Sequence, residues 1–491
     1  MEYNIIGVII LIGWVLSGIH LLDDANVHVK WNRERGSTAV SRRELFLLFL
    51  GPVMFVIEHF RDFFERYFLV FFRRVQHRVK NNIDLQIIDA RGMELYADLD
   101  SINPAVDALK RMLFDAIASR TSDIFIDPQG KEKIMVRFRV DGALQNIMTL
   151  DTDAGENIIN AVKVAAGMDI AEKRRPQDGA FAARSNGCNA AFRVASVGAY
   201  GGEKLTIRLL GTESGPSTLE EAGFSGDMLQ IMKNSVKLNS GMILICGATG
   251  SGKTTTLYAL LKNIDYSFKN VISIEDPIEK VIENVSQMEV NPKADITFAK
   301  LLRNALRQNP DVICLGEIRD EETAQIAVRA AQTGHLIIST VHSNDNLDTI
   351  DRMCNLGVPL RSLAATAKVI LSQRLARRLC DHCKEPGVPD ERWRSFFEQN
   401  GIPVDGICRP VGCPECNHTG YRGRVALFDL LIVDKYLRAA LEDEHATLSS
   451  VRLAMENNQQ CGSIYLHGAE LASQGITSLD EIDRLTLVLG E

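Results

Sequence analysis

A glycine-rich segment in the middle of the chain has the composition of a phosphate-binding loop. It reads Gly247-Ala248-Thr249-Gly250-Ser251-Gly252-Lys253-Thr254, which satisfies the pattern G-x-x-x-x-G-K-[ST] between an apolar run and a helical pattern. The glycines let backbone N–H groups converge on phosphate oxygens, and the start of the helix adds partial positive charge. Lys253 supplies a full charge, and Thr254 offers its hydroxyl to Mg²⁺. We predict that this segment, with the adjoining Thr255, binds ATP and Mg²⁺.

Acidic residues at two later strand ends are candidates for the hydrolytic step. Glu317 follows the apolar run Val312–Leu315, and Glu275 follows another apolar run at 271–274. Enzymes with phosphate-binding loops hold the Mg²⁺ shell and the attacking water with acids at the end of a neighbouring strand. A single Glu after an apolar run is usually a solvated strand end, but its combination with the loop favours a catalytic role for Glu317. Glu275 is the alternative base.

Four of the ten cysteines form two Cys-x-x-Cys pairs, Cys380/Cys383 and Cys413/Cys416. Two thiolate pairs on two turns can close a tetrahedral site on Zn²⁺ without a large core. Redox Cys-x-x-Cys motifs occur singly, so the doubled motif favours a metal. Three nearby residues could substitute as ligands, which leaves the ligand set open: His382, Cys408 and His418. The remaining cysteines are predicted to be small core residues: Cys188, Cys246, Cys314, Cys354 and Cys461.

The composition is that of a folded cytosolic protein with several domains. Hydrophobic residues at 46% and charged residues at 24% are average for globular proteins, and 491 residues predict roughly two to four domains. The net charge is −8, so the chain lacks the excess of basic residues that is typical of nucleic-acid-binding proteins, and we expect no nucleic acid partner. Ten cysteines in so long a chain, four of them paired, indicate a reducing compartment.

The order of helical and strand patterns predicts an α/β fold in two folded domains. Residues 104–210 show a helix, short strands and a hairpin around Asp141-Gly142, which is typical of a small α+β domain. Turn residues then predict a linker over 211–223. In residues 224–491 strands alternate with helices, which predicts a parallel sheet covered on both faces. This second domain includes the cysteine element, 376–425, and a C-terminal helical part.

The first 75 residues are much more hydrophobic than the rest. Residues 5–22 contain only Ser17 and His20 as polar members, and the basic start of a signal peptide is missing, so we predict an uncleaved membrane anchor over a signal peptide. The stretch 45–57 is too short to span a bilayer, and with its Phe- and Arg-rich continuation it is predicted to lie in the membrane interface. A linker over 76–103 follows.

Five basic residues between the two hydrophobic stretches bear on the topology: Lys30, Arg33, Arg35, Arg42 and Arg43. Because positive loops stay in the cytosol, they favour one crossing with the N-terminus outside over a two-span hairpin. The folded domains are therefore expected at the cytoplasmic face of the membrane.

These motifs resemble those of the secretion ATPase superfamily that powers type II secretion and type IV pilus assembly. The Walker A, Asp box, Walker B and His box of that family match, in order and spacing, residues 247–254, 271–279, 311–320 and 334–342. Signatures of the family's smaller domain match residues 122–128, 137–142, 175–179 and 202–208. The likeness covers about residues 105–491.

The resemblance implies a RecA-like ATPase domain preceded by a PAS-like domain, assembled as a hexamer. It gives His342 a place in the His box, whereas a histidine in a turn would by itself favour a structural role. It also implies that Arg193 and Arg208 of the smaller domain reach the nucleotide phosphates; a solvated strand face is the alternative. Such arginines would supply a cation for the transition state and link hydrolysis to domain rotation. The tetra-cysteine element implies an assembly ATPase, because pilus retraction ATPases lack it.

The chain departs from the family pattern at a few positions. Phe125 stands for His, Asp127 for Glu, and Asp429 for the Glu that usually follows the Gly-Arg segment. The hydrophobic first 75 residues replace a soluble N-terminal adaptor domain. These departures concern regulation and docking rather than ATP hydrolysis.

The combined expectation is a membrane-associated, Mg²⁺-dependent, hexameric ATPase motor. It would drive assembly of a type IV pilus or type II secretion pseudopilus by moving an inner-membrane platform protein. One alternative is a DNA-uptake or conjugation-type translocation ATPase. The acidic net charge argues against it, as does the absence of a track of aromatic and basic residues that could hold a nucleic acid strand. Another is a scaffold that binds nucleotide without turnover, against which the intact set Lys253, Thr254, Glu275 and Glu317 argues.

Overall fold

The computed structural model describes residues 85–96, 103–185, 188–210, 216–456 and 463–486. They belong to one compact unit, Asp84–Glu491. The predictions for the anchor at 1–75 fall outside the described residues, as do those for 76–84, 97–102 and 211–215 of the two linkers. Among the described residues there is no helix with both the length and the apolar character needed to span a bilayer.

The N-terminal part of the described chain forms an eight-stranded antiparallel sheet with the order β2-β1-β6-β7-β8-β3-β4-β5. Its strands are β1 (Gln86–Ile88), β2 (Glu94–Leu95), β3 (Thr121–Gln129), β4 (Lys133–Val140), β5 (Ala143–Asp151), β6 (Gln177–Ser185), β7 (Cys188–Ala199) and β8 (Gly202–Leu210). The predicted hairpin is confirmed: Asp141 and Gly142 join β4 to β5 with φ of +49° and +86°, the backbone of a tight two-residue turn.

Two helices, α1 (Pro104–Ala118) and α2 (Thr152–Ala165), contact each other and one face of this sheet. The start of α1 is fixed by Asn103, whose side chain accepts a hydrogen bond from the N–H of Ala105, and by Pro104 at the first helical position. Apolar residues three and four positions apart, such as Leu109 and Leu113, are fully buried. The opposite face of the sheet carries the arginines discussed below.

Strands β1 and β2 differ from the predicted linker at 76–103. Leu85 and Ile87 are buried, and β1 pairs with β6 through Ile87 and Ala183. Strands this short leave little alternation in the sequence, so the pattern gave no sign of them.

The C-terminal part contains a seven-stranded sheet with the order β11-β10-β12-β13-β9-β14-β17. Its strands are β9 (Gly241–Cys246), β10 (Val271–Glu275), β11 (Ser286–Glu289), β12 (Val312–Leu315), β13 (Leu336–Val341), β14 (Ala367–Leu379) and β17 (Tyr421–Ile432). Alternate residues of β9 enter different cores: Met242 and Leu244 pack on one side, Ile243 and Ile245 on the other. The sheet is thus buried on both faces, as predicted.

The prediction of a parallel sheet is wrong in one respect, because the sheet is mixed. The first six strands are parallel, but β17 returns antiparallel to β14 at the edge. The later half of β14 and the first half of β17 carry exposed arginines such as Arg378 and Arg424, so neither strand is a continuous apolar run.

The helices of this part are α3 (Gly226–Ser235), α4 (Lys253–Leu261), α5 (Phe298–Ala305), α6 (Glu321–Gln332), α7 (Asn346–Asn355), α8 (Leu360–Thr366), α9 (Glu391–Asn400), α10 (Lys435–Glu442), α11 (Leu448–Glu456), α12 (Ile464–Ser473) and α13 (Leu479–Thr486). A two-stranded sheet, β15 (Glu385–Pro386) and β16 (Cys408–Arg409), lies within the predicted cysteine element. Leu219, predicted to lie in a linker, packs in the core beneath α4. Cys246 and Cys314 are buried, as predicted.

Candidate active site and metal cluster

The phosphate-binding pattern lies between the buried end of β9 and the first residue of α4. Gly247 and Gly252 have φ of +149° and +90°. A Cβ on Gly247 would lie 2.4 Å from the carbonyl oxygen of Gln373, and one on Gly252 would lie 2.7 Å from Nε2 of the same residue. Close approach of β14 therefore leaves room only for glycine at both positions.

Lys253 turns back over the loop. Its Nζ donates hydrogen bonds to the carbonyl oxygens of Gly247 (2.7 Å) and Ala248 (3.0 Å). Burial lowers the pKa of the Lys253 ammonium, while the charges of Cys246 and Glu317 oppose this shift.

The rest of the loop has the shape of a phosphate cradle. Ala248, Thr249 and Gly250 are exposed at its tip, and Thr254 and Thr255 are half-buried in the first turn of α4. The buried hydroxyl of Ser251 has no hydrogen-bond partner among the described residues. A loop of this kind fits phosphate, which can accept hydrogen bonds from backbone N–H groups, the free hydroxyl and the lysine.

Glu317 lies just beyond β12, and its side chain is 13% exposed. It pairs with Arg319, and one of its carboxylate oxygens lies 3.3 Å from Nε2 of His342. Lys253 interacts electrostatically with the same carboxylate. Arg319 also reaches Asp276 at 3.3 Å. The structure thus brings together three predicted residues, Lys253, Glu317 and His342.

His342 follows β13 and faces this group from the neighbouring strand. Burial lowers its pKa, and the positive charges of Lys253 and Arg319 lower it further, against the opposing effect of Glu317. The imidazole is therefore neutral at pH 7 and available for hydrogen bonding.

Glu275 lies at the end of β10, and its carboxylate is buried among three hydrogen-bond donors. These are the Tyr258 hydroxyl, the Ser273 hydroxyl (2.6 Å) and the Gln287 amide (3.0 Å). Burial, and next the hydrogen bond to Glu275, raise the pKa of Tyr258. The Glu275 side chain is therefore engaged with α4 and β11 rather than with the group around Glu317.

Arg193 and Arg208 are cross-strand neighbours on β7 and β8. Nε of Arg208 donates to Asp123 of β3 at 3.0 Å. Burial, and then the nearby Glu275, raise the pKa of Glu279, whereas the positive charge of Arg193 lowers it. In this conformation neither arginine is paired with a residue of the phosphate-binding loop.

Sequence reasoning missed Gln373 and Arg319. Gln373 lies on β14 with 2% exposure, and its side chain is hydrogen-bonded to the loop. A polar residue two positions after the apolar stretch 369–371 of a buried strand was the available signal, but β14 itself was not predicted. Arg319 lies two positions after Glu317 and was not singled out.

The four cysteines predicted as ligands lie together, with all sulfur atoms within 4.8 Å of one another. The Sγ–Sγ distances are 3.8 Å for Cys380–Cys413, 3.8 Å for Cys383–Cys416 and 3.7 Å for Cys413–Cys416. Four sulfurs at about 2.3 Å from a tetrahedral Zn²⁺ would be about 3.8 Å apart. His382, Cys408 and His418 do not belong to this cluster.

Backbone N–H groups point at the sulfur atoms of the cluster. Gly412 donates to Cys383 (3.3 Å), and Cys413 and Gly420 donate to Cys416 (3.2 and 3.3 Å). Burial alone would raise the pKa of Cys416, but hydrogen bonds from the N–H groups of Cys413 and Gly420 and from the thiols of Cys413 and Cys383 lower it to about 7. Donors of this kind stabilise thiolates, the form that binds zinc.

Comparison with known proteins places these features in a family. Residues 98–484 match the family model described as Type II/IV secretion system protein. Type II secretion system protein E of Aeromonas hydrophila is 39% identical over 389 residues, which cover 79% of this chain and 77% of the relative. Type II secretion system ATPase E of Vibrio cholerae is 40% identical over 385 residues, covering 78% and 75% of the two chains.

Two solved structures have a similar fold. The ATPase DotB of Legionella pneumophila superposes with a TM-score of 0.57 at 22% identity, covering 77% of this chain and 95% of that one. The pilus retraction motor PilT with bound ADP gives 0.51 at 24% identity, with 77% and 97% covered. The resemblance inferred from the motifs is confirmed: the chain belongs to the Type II/IV secretion system protein family and is an ATPase.

Proposed function

We propose that this ATPase is a Mg²⁺-dependent, hexameric motor at the cytoplasmic face of the bacterial inner membrane, where it drives assembly of a type II secretion pseudopilus or a type IV pilus. The observation that supports it most is the convergence of Lys253, Glu317 and His342 at the mouth of the phosphate-binding loop. The names of the relatives support the type II pathway for this chain.

In the proposed reaction a water oxygen attacks the γ-phosphorus of ATP while the bond to the β-phosphate oxygen breaks. Glu317 orients the water and accepts its proton, and ADP takes the electron pair of the broken bond. Arg319 and His342 hold the Glu317 carboxylate from two sides. Lys253 exchanges the carbonyls of Gly247 and Ala248 for phosphate oxygens.

The residues present fit the proposed metals. Thr254, in the first turn of α4, would hold Mg²⁺, which would neutralise negative charge on the phosphates. Cys380, Cys383, Cys413 and Cys416 would hold one structural Zn²⁺, which supplies folding free energy to residues 376–425. The cysteine cluster supports an assembly motor over a retraction motor.

We assign Arg193 and Arg208 a role as cations that move to the nucleotide. Both lie on the exposed face of the antiparallel sheet. We propose that residues 104–210, which contribute most of this sheet, form a PAS-like domain and that residues 224–491 form a RecA-like domain. Rotation of the first domain would carry Arg193 to a nucleotide and pass the motion to a membrane platform protein. Anchoring by residues 1–75 is part of the same proposal.

Purified full-length protein tests the proposal. ATP hydrolysis should require Mg²⁺, disappear in Lys253→Ala, and occur in a particle with the mass of six chains. In cells, the protein should stay in the membrane fraction after a high-salt wash. ATP hydrolysis by a single chain in excess EDTA would refute the Mg²⁺-dependent hexameric motor. Release of the protein from the membrane fraction by high salt alone would refute the membrane anchor.

A further inference from the structure

Gln373 contacts the phosphate-binding loop and the helix that follows it at the same time. Its Nε2 donates to the carbonyl oxygen of Ser251 at 2.8 Å, and its Oε1 accepts from the Thr256 hydroxyl at 2.7 Å. The side chain is 2% exposed. Both ends of one buried amide are thus satisfied by the nucleotide-binding element.

The sheet register places this residue. Ser372 of β14 pairs with Cys246 of β9, so Gln373 comes alongside Gly247, where the loop begins. The close approaches to Gly247 and Gly252 described above are made by the main chain and the side chain of the same glutamine. Strand β14 therefore forms one wall of the loop.

The hydrogen bond to Ser251 fixes the direction of a peptide plane. In a trans peptide the C=O and the following N–H point in opposite directions. With the Ser251 carbonyl held by Gln373, the N–H of Gly252 must point away from β14. If that bond were lost, the plane could rotate, because Gly252 tolerates many backbone conformations.

We infer that Gln373 is a positioning residue for nucleotide binding: it holds the Ser251–Gly252 peptide so that N–H groups, and not a carbonyl, face the phosphates. This inference rests on the proposed nucleotide site at 247–255. It assigns to β14 a role in phosphate affinity rather than in proton transfer.

Two variants separate positioning from packing. Gln373→Met keeps the size of the side chain and removes both hydrogen bonds. Gln373→Glu keeps the acceptor for Thr256, and its carboxyl can donate to Ser251 only when it is protonated. Gln325→Met is the matched control, because the half-buried Gln325 amide donates to Glu321 within α6 and makes no bond to the loop among the described residues. Binding of fluorescently labelled ADP, the melting temperature without nucleotide, and KM and kcat for ATP are measured for each.

The expected result is a rise in Kd for ADP of roughly tenfold in Gln373→Met, with a parallel rise in KM and a smaller change in kcat, since a buried hydrogen bond lost next to the ligand has this scale. For Gln373→Glu, the Kd relative to the parent should rise at pH 9, where the ionised carboxylate accepts from Thr256 but cannot donate to Ser251. Gln325→Met should bind ADP like the parent.

A folded Gln373→Met protein with the parental Kd would overturn the inference, as would a folded Gln373→Glu protein with the parental Kd at pH 9. If Gln373→Met does not fold, ADP binding by Gln373→Glu at pH 9 decides alone. Lys253→Ala is measured in parallel. If Lys253→Ala binds ADP like the parent, the nucleotide site itself is wrong. If Lys253→Ala loses ADP binding but both Gln373 variants keep it, only the role of Gln373 is wrong.

Discussion

The Asp141 carboxylate accepts a hydrogen bond from the backbone N–H of Gly423 at 2.8 Å, across 282 positions of the chain. Asp141 lies in the turn between β4 and β5 of the antiparallel sheet, and Gly423 lies near the start of β17, which leaves the cysteine cluster. The carboxylate is 8% exposed and also accepts from Nη2 of Arg120 at 2.9 Å. It therefore joins the two sheets at the point where the cysteine element enters the second one.

Replacement of Asp141 should loosen this junction. Asp141→Ala leaves the Gly423 N–H without its partner, which costs about 1–3 kcal/mol when a group is buried. We expect faster amide hydrogen exchange at residues 421–425. Arg120→Ala is the control: the Arg120 side chain is 47% exposed, so its loss should cost less than about 1 kcal/mol and leave that exchange unchanged. Equal exchange in Asp141→Ala and in the parent would contradict the role of the contact.

The position of Glu317 predicts a selective loss of turnover. Glu317→Gln should still bind MgATP but hydrolyse it at least about a hundredfold more slowly, the scale of a lost proton-transfer group. Glu283→Gln, an acid-to-amide change at an exposed position, should hydrolyse ATP like the parent. The measurement is single-turnover hydrolysis together with nucleotide binding. Near-parental hydrolysis in Glu317→Gln would make Glu275 the base, which would require it to leave Tyr258, Ser273 and Gln287.

The cysteine cluster predicts one zinc ion per chain. Cys413→Ser should lose the metal and destabilise residues 376–425 before the phosphate-binding core, because the free energy of zinc binding is folding free energy. Cys408→Ser should keep the metal, since Cys408 is outside the cluster. Metal analysis of freshly purified protein and hydrogen exchange measure both effects. Zinc at less than about half an equivalent would contradict the prediction, given the roughly 10–16 kcal/mol with which such sites bind.

Local motifs made much of the site predictable from the sequence. The remaining site residues depend on which strands pair in the sheet. The loop at 247–254 and the cysteine pairs are short patterns whose chemistry is carried by neighbouring residues, so the sequence was sufficient to locate them. The environment of Glu275 depends on Tyr258 and Gln287, which come from elements before and after it. Gln373 reaches the loop only because β14 pairs with β9, more than a hundred positions away. Such partners follow from sheet order, which the strand pattern did not specify.

Asp429 predicts a stability that depends on pH. It lies on β17 opposite Ser372, and its Oδ1 atom is buried without a hydrogen-bond partner among the described residues. Burial, and then the charge of Asp345, raise the pKa of this carboxyl to about 7, against the opposing hydrogen bond from Asn346. The family pattern has a glutamate at this position.

The sign of the effect follows from proton binding. Between the pKa of the unfolded chain, about 4, and the folded value of about 7, the folded state holds a proton that the unfolded state has lost. The stabilising contribution of neutral Asp429 is therefore complete below about pH 4 and disappears as the pH rises to about 7, a change of up to about 4 kcal/mol. Asp429→Asn removes this dependence. Urea denaturation measures the free energy of unfolding from pH 5 to pH 8. The value for Asp429→Asn should increase relative to the parent as the pH rises. Asp405→Asn, at an exposed position, should have the same pH dependence as the parent. A constant difference between Asp429→Asn and the parent across this range would mean that Asp429 stays ionised in the folded protein.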